Sequence, residues 1–199
     1  MILVFGKTGQ VAKELSFHEN IIALERNQVD LSNPSNCFFA ISNYKPEAVI
    51  NAAAYTNVDK AEENEALATI INSDAPKAMA KACSKLNIPF IHISTDYVFD
   101  GRGDIPWRVQ DLATPQNAYG RSKLLGEELF LSSGVKGVCL RTSWVHSNYG
   151  KNFYITMRKL MAERIQLSVV NDQFGVPTTC DFIARNALKL IKENKVRDK

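Results

Sequence analysis

The sequence predicts a doubly wound α/β fold, a mostly parallel sheet with helices on both faces. Three observations carry this. Short runs rich in Val and Ile recur along the 199 residues, and continuous apolar runs of that length suit strands covered on both sides. Segments of helical spacing lie between them, and strand–helix alternation is the pattern of α/β proteins. A chain with 45% hydrophobic and 23% charged residues has the make-up of an ordinary globular protein, long enough to bury one substantial core.

The first predicted strand is "ILVF" at 2–5, followed by glycines, and the second is "IIAL" at 21–24, which ends on Glu25. "AVINAAA" at 48–54, "FIHIS" at 90–94, "GVCL" at 137–140 and "LSVV" at 167–170 complete the set. Helices are expected after the first glycines and over 34–44, 58–86, 118–132, 152–164 and 180–194, the second of these ranges broken near Asp74-Ala75-Pro76. Within it Ala75, Ala78, Met79, Ala82, Cys83 and Leu86 share one face at a period of 3.6. No repeat, low-complexity tract or linker divides the chain. The reading is therefore one domain over 1–199, with 145–199 supplying the last strand and helices.

Charge and composition exclude several classes. The net charge of +3 is small and spread along the chain, which argues against nucleic acid as a partner. No run approaches the roughly 18 apolar residues of a membrane span, and "MILVFGKTG" opens on a strand pattern where a signal peptide would have its apolar stretch. A cytoplasmic location without membrane attachment is expected. Cys37, Cys83, Cys139 and Cys180 are widely spaced with no C-x-x-C pair, so they read as core residues or free thiols and neither a metal site nor a disulfide frame. No metal is assigned.

"VFGKTGQVAKEL" places Gly6, Gly9 and Ala12 in a G-x-x-G-x-x-A pattern directly after the first strand. Gly6 suits the tight turn, Gly9 lets the backbone approach a pyrophosphate, and Ala12 keeps the following helix close to the strand. This predicts a Rossmann-type dinucleotide domain, so the cofactor is NADPH or NADH. Glu25, at the end of the second strand, can accept hydrogen bonds from ribose hydroxyls and favours NADH. Arg26 can hold a 2′-phosphate and favours NADPH. Asp30 and Leu31 can flank an adenine, although an Asx turn explains Asp30 equally well.

"IHISTDYVFDG" sets Ser94, Thr95 and Asp96 where a strand leaves the sheet, the edge at which open α/β sheets bind ligands. Tyr119 and Lys123 follow, one helical turn apart. Delivery of hydride to a ketone builds an alkoxide that needs a proton. A phenol of pKa about 10 is a poor partner near neutrality. A nearby ammonium would bring it toward the working range, and the Thr95 hydroxyl can bond the developing oxyanion.

The segments "FGKTGQVA", "NAAAYTNVDKAE", "STDYVFDG", "TPQNAYGRSKLLGE", "RTSWV" and "NDQFGVPT" together resemble the dTDP-4-dehydrorhamnose reductase family of the extended short-chain dehydrogenase/reductase superfamily, from residue 2 to about 190. The resemblance implies NAD(P)H-dependent reduction of the 4-keto group of a dTDP-sugar, giving dTDP-L-rhamnose. It implies catalytic roles for Thr95, Tyr119 and Lys123, with Lys123 also on the nicotinamide ribose, and a pyrophosphate loop at Gly9, Gln10 and Val11. Glu25, Asp30 and Leu31 match adenosine contacts, and Ala54, Tyr55 and Thr56 match the strand end beside the nicotinamide half. Thr95, Asp96 and Trp144 match sugar-nucleotide contacts, with Val58 beside them, whereas core packing is the other reading of Trp144. His18, His92 and His146 receive no role.

Members of the family continue beyond this length into a part that closes over the sugar nucleotide, so the substrate lobe is expected to be largely absent, with 145–199 lying next to its truncated remainder. Some relatives dimerise around a metal ion, which makes a homodimer a candidate assembly for this chain; Asp181 lies near one ligand position of those relatives, and the other ligands would lie beyond Lys199. Two other readings stay open. A sugar-nucleotide dehydratase or epimerase shares the glycine loop and the Tyr–Lys pair, yet dehydratases carry an acid where this chain has Tyr97. A non-catalytic NAD(P)-binding regulatory subunit would keep the fold and bind cofactor without consuming it.

Overall fold

Five of the six apolar runs form the central sheet in the computed structural model, which describes residues 1–103 and 105–193. The strands are β1 (Ile2–Phe5), β2 (Ile21–Leu24), β3 (Ala48–Asn51), β4 (Phe90–Thr95) and β5 (Gly137–Thr142). They run in the order β2-β1-β3-β4-β5, and every neighbouring pair is parallel. From β1 the chain crosses to β2 on one side and later to β3 on the other, so the topological switch point lies between β1 and β3.

The alternation of side chains along each strand sends apolar residues to both faces. On one face Leu3, Phe5, Val49 and Phe90 pack with α2 (Pro34–Tyr44), α5 (Ala75–Leu86) and Phe130 of α6 (Ala118–Ser132). On the other, Val4, Ile50 and Ile91 pack with Val11, Ala12 and Leu15 of α1 (Gln10–Leu15) and with Cys180, Ile183, Ala184 and Ala187 of α8 (Cys180–Lys192). This two-sided burial explains why the strands read as unbroken apolar runs. The four cysteines are free thiols, three of them buried. Among the described residues no helix is long and apolar enough to cross a membrane.

Several elements differ from expectation. The third strand stops at Asn51, because Ala52 to Thr56 leave the sheet to border the ligand groove. The 58–86 range is α3 (Val58–Glu63), α4 (Glu65–Thr69), a π-turn (Ile70–Asp74) and α5. The break therefore comes at Asn64 and the π-turn, and Pro76 sits in the first turn of α5, where its missing N–H costs nothing. The π-turn has a packing cause: a Cβ on Gly126 of α6 would lie 2.2 Å from the Asn72 carbonyl oxygen, so helix and turn touch at backbone distance.

Among the described residues, 145–193 add no strand to the main sheet. Residues 167–170 are irregular, and only β6 (Val145–His146) and β7 (Thr178–Thr179) pair, as a separate parallel ribbon. Val169 and Val170 line an apolar pocket of about 480 Å³ with Tyr154 and Met157 of α7 (Phe153–Glu163). Periodicity cannot separate such a pocket-lining run from a buried strand. Residue 194, the last of the expected C-terminal helix, lies outside the described residues.

Candidate active site

Two adjoining cavities at the carboxyl edge of the sheet form one groove across the switch point. One, of about 310 Å³, is lined by Gly6, Gly9, Glu25, Arg26, Asp30, Leu31, Ala54, Tyr55 and Thr56 among others. The other, of about 670 Å³, shares Gly9, Ala54 and Thr56 with it and adds Gln10, Val11, Val58, Thr95, Asp96, Tyr119, Lys123 and Trp144. The candidate catalytic, cofactor and substrate residues thus all border this groove, whereas Ala12 is buried on the inner face of α1.

The floor is built by close backbone approach. Gly6 has φ +96°, and a Cβ there would stand 2.9 Å from the Cα and N of Ala53. Only glycine lets the turn after β1 lie against the segment leaving β3. Gly9 donates its N–H to the Gly6 carbonyl at 2.7 Å, closing the loop. The side chain of Gln10 points elsewhere. Its Oε1 accepts from Ser147 Oγ at 2.8 Å and Asn152 Nδ2 at 2.7 Å, and its Nε2 donates to the Lys151 carbonyl at 3.3 Å. That leaves the backbone N–H of Gln10 for a ligand, its carbonyl accepting from the Tyr149 hydroxyl at 3.3 Å.

At the far end of the groove Asp30 makes an Asx turn, accepting from Ser32 N at 2.9 Å, and pairs with Arg26 at 3.3 Å. Its carboxyl is held below the usual range, chiefly by the Ser32 hydrogen bonds. Leu31 belongs largely to the core.

β4 delivers Thr95 at its last position, where the chain tightens into a single turn over Asp96–Val98. Thr95 Oγ1 accepts from Tyr97 N and donates to Asp96 Oδ1, both at 3.2 Å. Burial raises the Asp96 carboxyl above its ordinary pKa. α6 starts beside this turn. Its Asn117 side chain accepts from Gly120 N at 2.7 Å, Ala118 N donates to Glu62 at 2.7 Å, and Arg121 pairs with Glu65 at 2.8 Å. Tyr119 meets the Tyr97 ring edge-on with centroids 5.5 Å apart. Burial pushes its phenol up to about 12; Thr95 favours the phenolate, while Asp96 and Tyr97 oppose it.

That corrects one expectation. Lys123 does not lower the Tyr119 pKa in this arrangement, because the ammonium position is taken up elsewhere. Lys123 is 1% exposed; its Nζ donates to the Ile93 carbonyl at 2.7 Å and lies 3.4 Å from His92 Nε2. Desolvation lowers it to about 8. In the ligand-free site, burial has thus moved acid and lysine in opposite directions.

Trp144 is 44% exposed, so it lines the groove and is no core residue. Its φ of +45° is unusual for an aromatic residue and puts the indole against Gly175, where a Cβ would come within 2.5 Å of Nε1. Strain of this kind gathers at ligand sites. Asp181 pairs with Arg185 at 2.5 Å. Among the described residues no group of three His, Cys, Asp or Glu side chains is arranged to hold a metal ion.

Sequence reasoning missed three buried side chains. Asn72 clasps Tyr55 through both backbone atoms, at 2.8 and 3.1 Å, and donates to Ser122 Oγ at 2.9 Å, tying α6 to the loop after β3. Asn51 and His92 lie beneath Lys123. A polar residue inside an apolar strand run was the available signal for the last two.

A family model described as RmlD substrate binding domain matches residues 1–199. The chain belongs to this family. Compared with curated RmlD-type proteins, it is 44% identical over 191 residues to dTDP-4-dehydrorhamnose reductase of Salmonella typhimurium, a match covering 92% of this chain and 64% of that protein. It is 36% identical to the spore coat polysaccharide biosynthesis protein SpsK of Bacillus subtilis, over 95% of this chain and 69% of that one. The crystal structure of a dTDP-4-dehydrorhamnose reductase from Clostridium acetobutylicum superposes with a TM-score of 0.92 at 38% identity, over 98% of this chain and 71% of that one. The Bacillus anthracis reductase, solved in complex with NADP, also gives 0.92, at 34% identity over 96% and 70%. The chain thus spans about two-thirds of the length of these relatives, and 64% of the Salmonella protein.

Proposed function

We propose that this chain reduces the 4-keto group of dTDP-4-dehydro-L-rhamnose to dTDP-L-rhamnose with NADPH or NADH. The observation that supports it most is the meeting of Thr95, Tyr119 and Lys123 in the same cavity as the glycine loop, in a chain 44% identical to a protein of that name. The groove fits a dinucleotide. Gly6 and Gly9 keep its floor free of side chains, and Ser94, which lines the same cavity, has a buried hydroxyl with no hydrogen-bond partner. Glu25, Arg26, Asp30 and Leu31 would hold the adenosine half, and Ala54, Tyr55 and Thr56 the nicotinamide half. Bound there, the nicotinamide would supply the hydride.

The chain's own residues supply the rest. Tyr119, protonated well above neutrality, donates its phenolic proton to the oxygen that becomes the alcohol. Thr95 turns its hydroxyl from Asp96 to that oxygen and fixes the carbonyl. Lys123 leaves the Ile93 carbonyl to stabilise the phenolate left behind and to hold the ribose. Asp96, Val58 and Trp144 line the place for the sugar nucleotide.

The test is loss of NAD(P)H absorbance with dTDP-4-dehydro-L-rhamnose, run beside Tyr119→Phe. Turnover should fall by at least about 1000-fold in the variant while cofactor affinity stays near wild type. Equal loss of both would make Tyr119 a structural residue. A second reading, a cofactor-binding regulatory module, draws on Tyr119 at about 12 and Lys123 turned away to Ile93. It requires thermal stabilisation by NAD(P)H with no turnover.

A further inference from the structure

Asn51 and His92 face each other across the β3–β4 ladder, both fully buried. Their hydrogen bonds run in one direction. Asn51 Oδ1 accepts from Ala53 N at 3.1 Å, which commits the amide oxygen and turns Nδ2 toward His92 Nδ1 at 3.2 Å. An amide NH₂ can only donate, so Nδ1 accepts. Burial holds the imidazole neutral, and its single proton is therefore on Nε2. That N–H points at Lys123 Nζ, 3.4 Å away. An ammonium has no lone pair to accept it, whereas a neutral amine has one. Lys123 still donates to the Ile93 carbonyl at 2.7 Å. The whole series is satisfied, with no two hydrogens opposed, only when Lys123 is uncharged.

We propose that Asn51 and His92 are positioning residues that favour the neutral amine of Lys123 over its ammonium in the ligand-free site, and that Lys123 regains its ordinary proton affinity on leaving His92. The groups around the amine agree. His92 faces it from β4. Glu127, on its own helix, and Cys139, on β5, would favour the ammonium, but Glu127 is held by Arg141 of β5 at 2.6 Å, and burial keeps the Cys139 thiol protonated to about 12. Desolvation dominates and brings Lys123 down to about 8. Tyr119, one turn back on α6, is a neutral phenol over the same range. The inference deepens the reductase reading, since Lys123 is its cation, but it concerns the chain without cofactor.

The experiment uses the ligand-free 199-residue chain with labelled histidine and lysine, assigned by His92→Leu and Lys123→Met. Above about pH 8, long-range proton–nitrogen correlation NMR should find the His92 proton on Nε2, and the Lys123 side chain should titrate near 8. Asn51→Asp puts an acceptor opposite Nδ1, so the proton should move to Nδ1. Nε2 then accepts, and the proton affinity of Lys123 should rise roughly tenfold or more. A wild-type His92 proton on Nδ1 would overturn the proposal, as would a Lys123 titration at the ordinary value or a folded Asn51→Asp chain with Lys123 unmoved. If Asn51→Asp does not fold, the wild-type tautomer decides. No readout involves NAD(P)H or turnover, so an inactive chain with the expected tautomer would sink the reductase reading alone.

Discussion

Replacing Lys123 by methionine tests how burial governs the candidate site. The substitution keeps most of the side-chain volume and removes the titrating group. The fall of Lys123 from an ordinary 10.5 to about 8 corresponds to roughly 3 kcal/mol between folded and unfolded chains. The folded pKa lies below the unfolded one, so between about 8 and 10.5 the unfolded chain binds more protons and wild-type stability rises with pH. Below about 8 the full penalty applies; above 10.5 it is gone. Loss of the bond to Ile93 O costs the variant about 1 kcal/mol, with little pH dependence. Other titrating groups are common to both chains and cancel in the difference. Urea denaturation of both proteins from pH 6.5 to 10.5 should therefore show the variant's relative stability shrinking by roughly 3 kcal/mol across the range. A difference constant to within about 0.5 kcal/mol would refute the account of a desolvated, low-pKa lysine.

Gly120→Ala would place a methyl group 2.2 Å from the Tyr97 carbonyl oxygen and 2.9 Å from Pro115 Cβ, pushing the start of α6 off the 96–98 turn. The expected cost is about 1–3 kcal/mol by denaturation, with a further loss of turnover because Tyr119 shifts; unchanged stability would mean that the approach relaxes freely. Arg26→Ala removes an exposed guanidinium paired only loosely with Asp30 at 3.3 Å. It should weaken NADPH binding on the order of tenfold more than NADH binding in titration, and equal effects would take Arg26 off the 2′-phosphate.

Much of this protein was legible locally. The five strands of the parallel sheet, the glycine turn after β1 and the strand-end Thr95 announce themselves through runs, spacing and residue type, because a covered parallel sheet and a tight backbone turn impose strict local demands. Tyr119 and Lys123 were legible as a pair for the same reason, one helical turn apart. The 167–170 run was misread because an apolar segment lining a pocket has the same pattern as a buried strand. The break expected near Asp74 falls at the end of the π-turn, but the one at Asn64 went unseen, and the turn itself answers to Gly126 in another helix, 54 positions beyond Asn72.

The sequence alone determined the fold class, the candidate side chains that line the groove and the edge of the sheet that carries them, all properties written in short-range pattern. Tertiary structure decided what those side chains are in the folded protein. Tyr119 rises to about 12 and Lys123 falls to about 8, and Gln10 turns to the 147–152 segment. His92, unremarkable in the sequence, becomes the neighbour of the site's lysine. Each of these depends on burial and on partners from distant strands and helices. Proton affinity is a property of surroundings, and the surroundings exist only once the sheet has assembled.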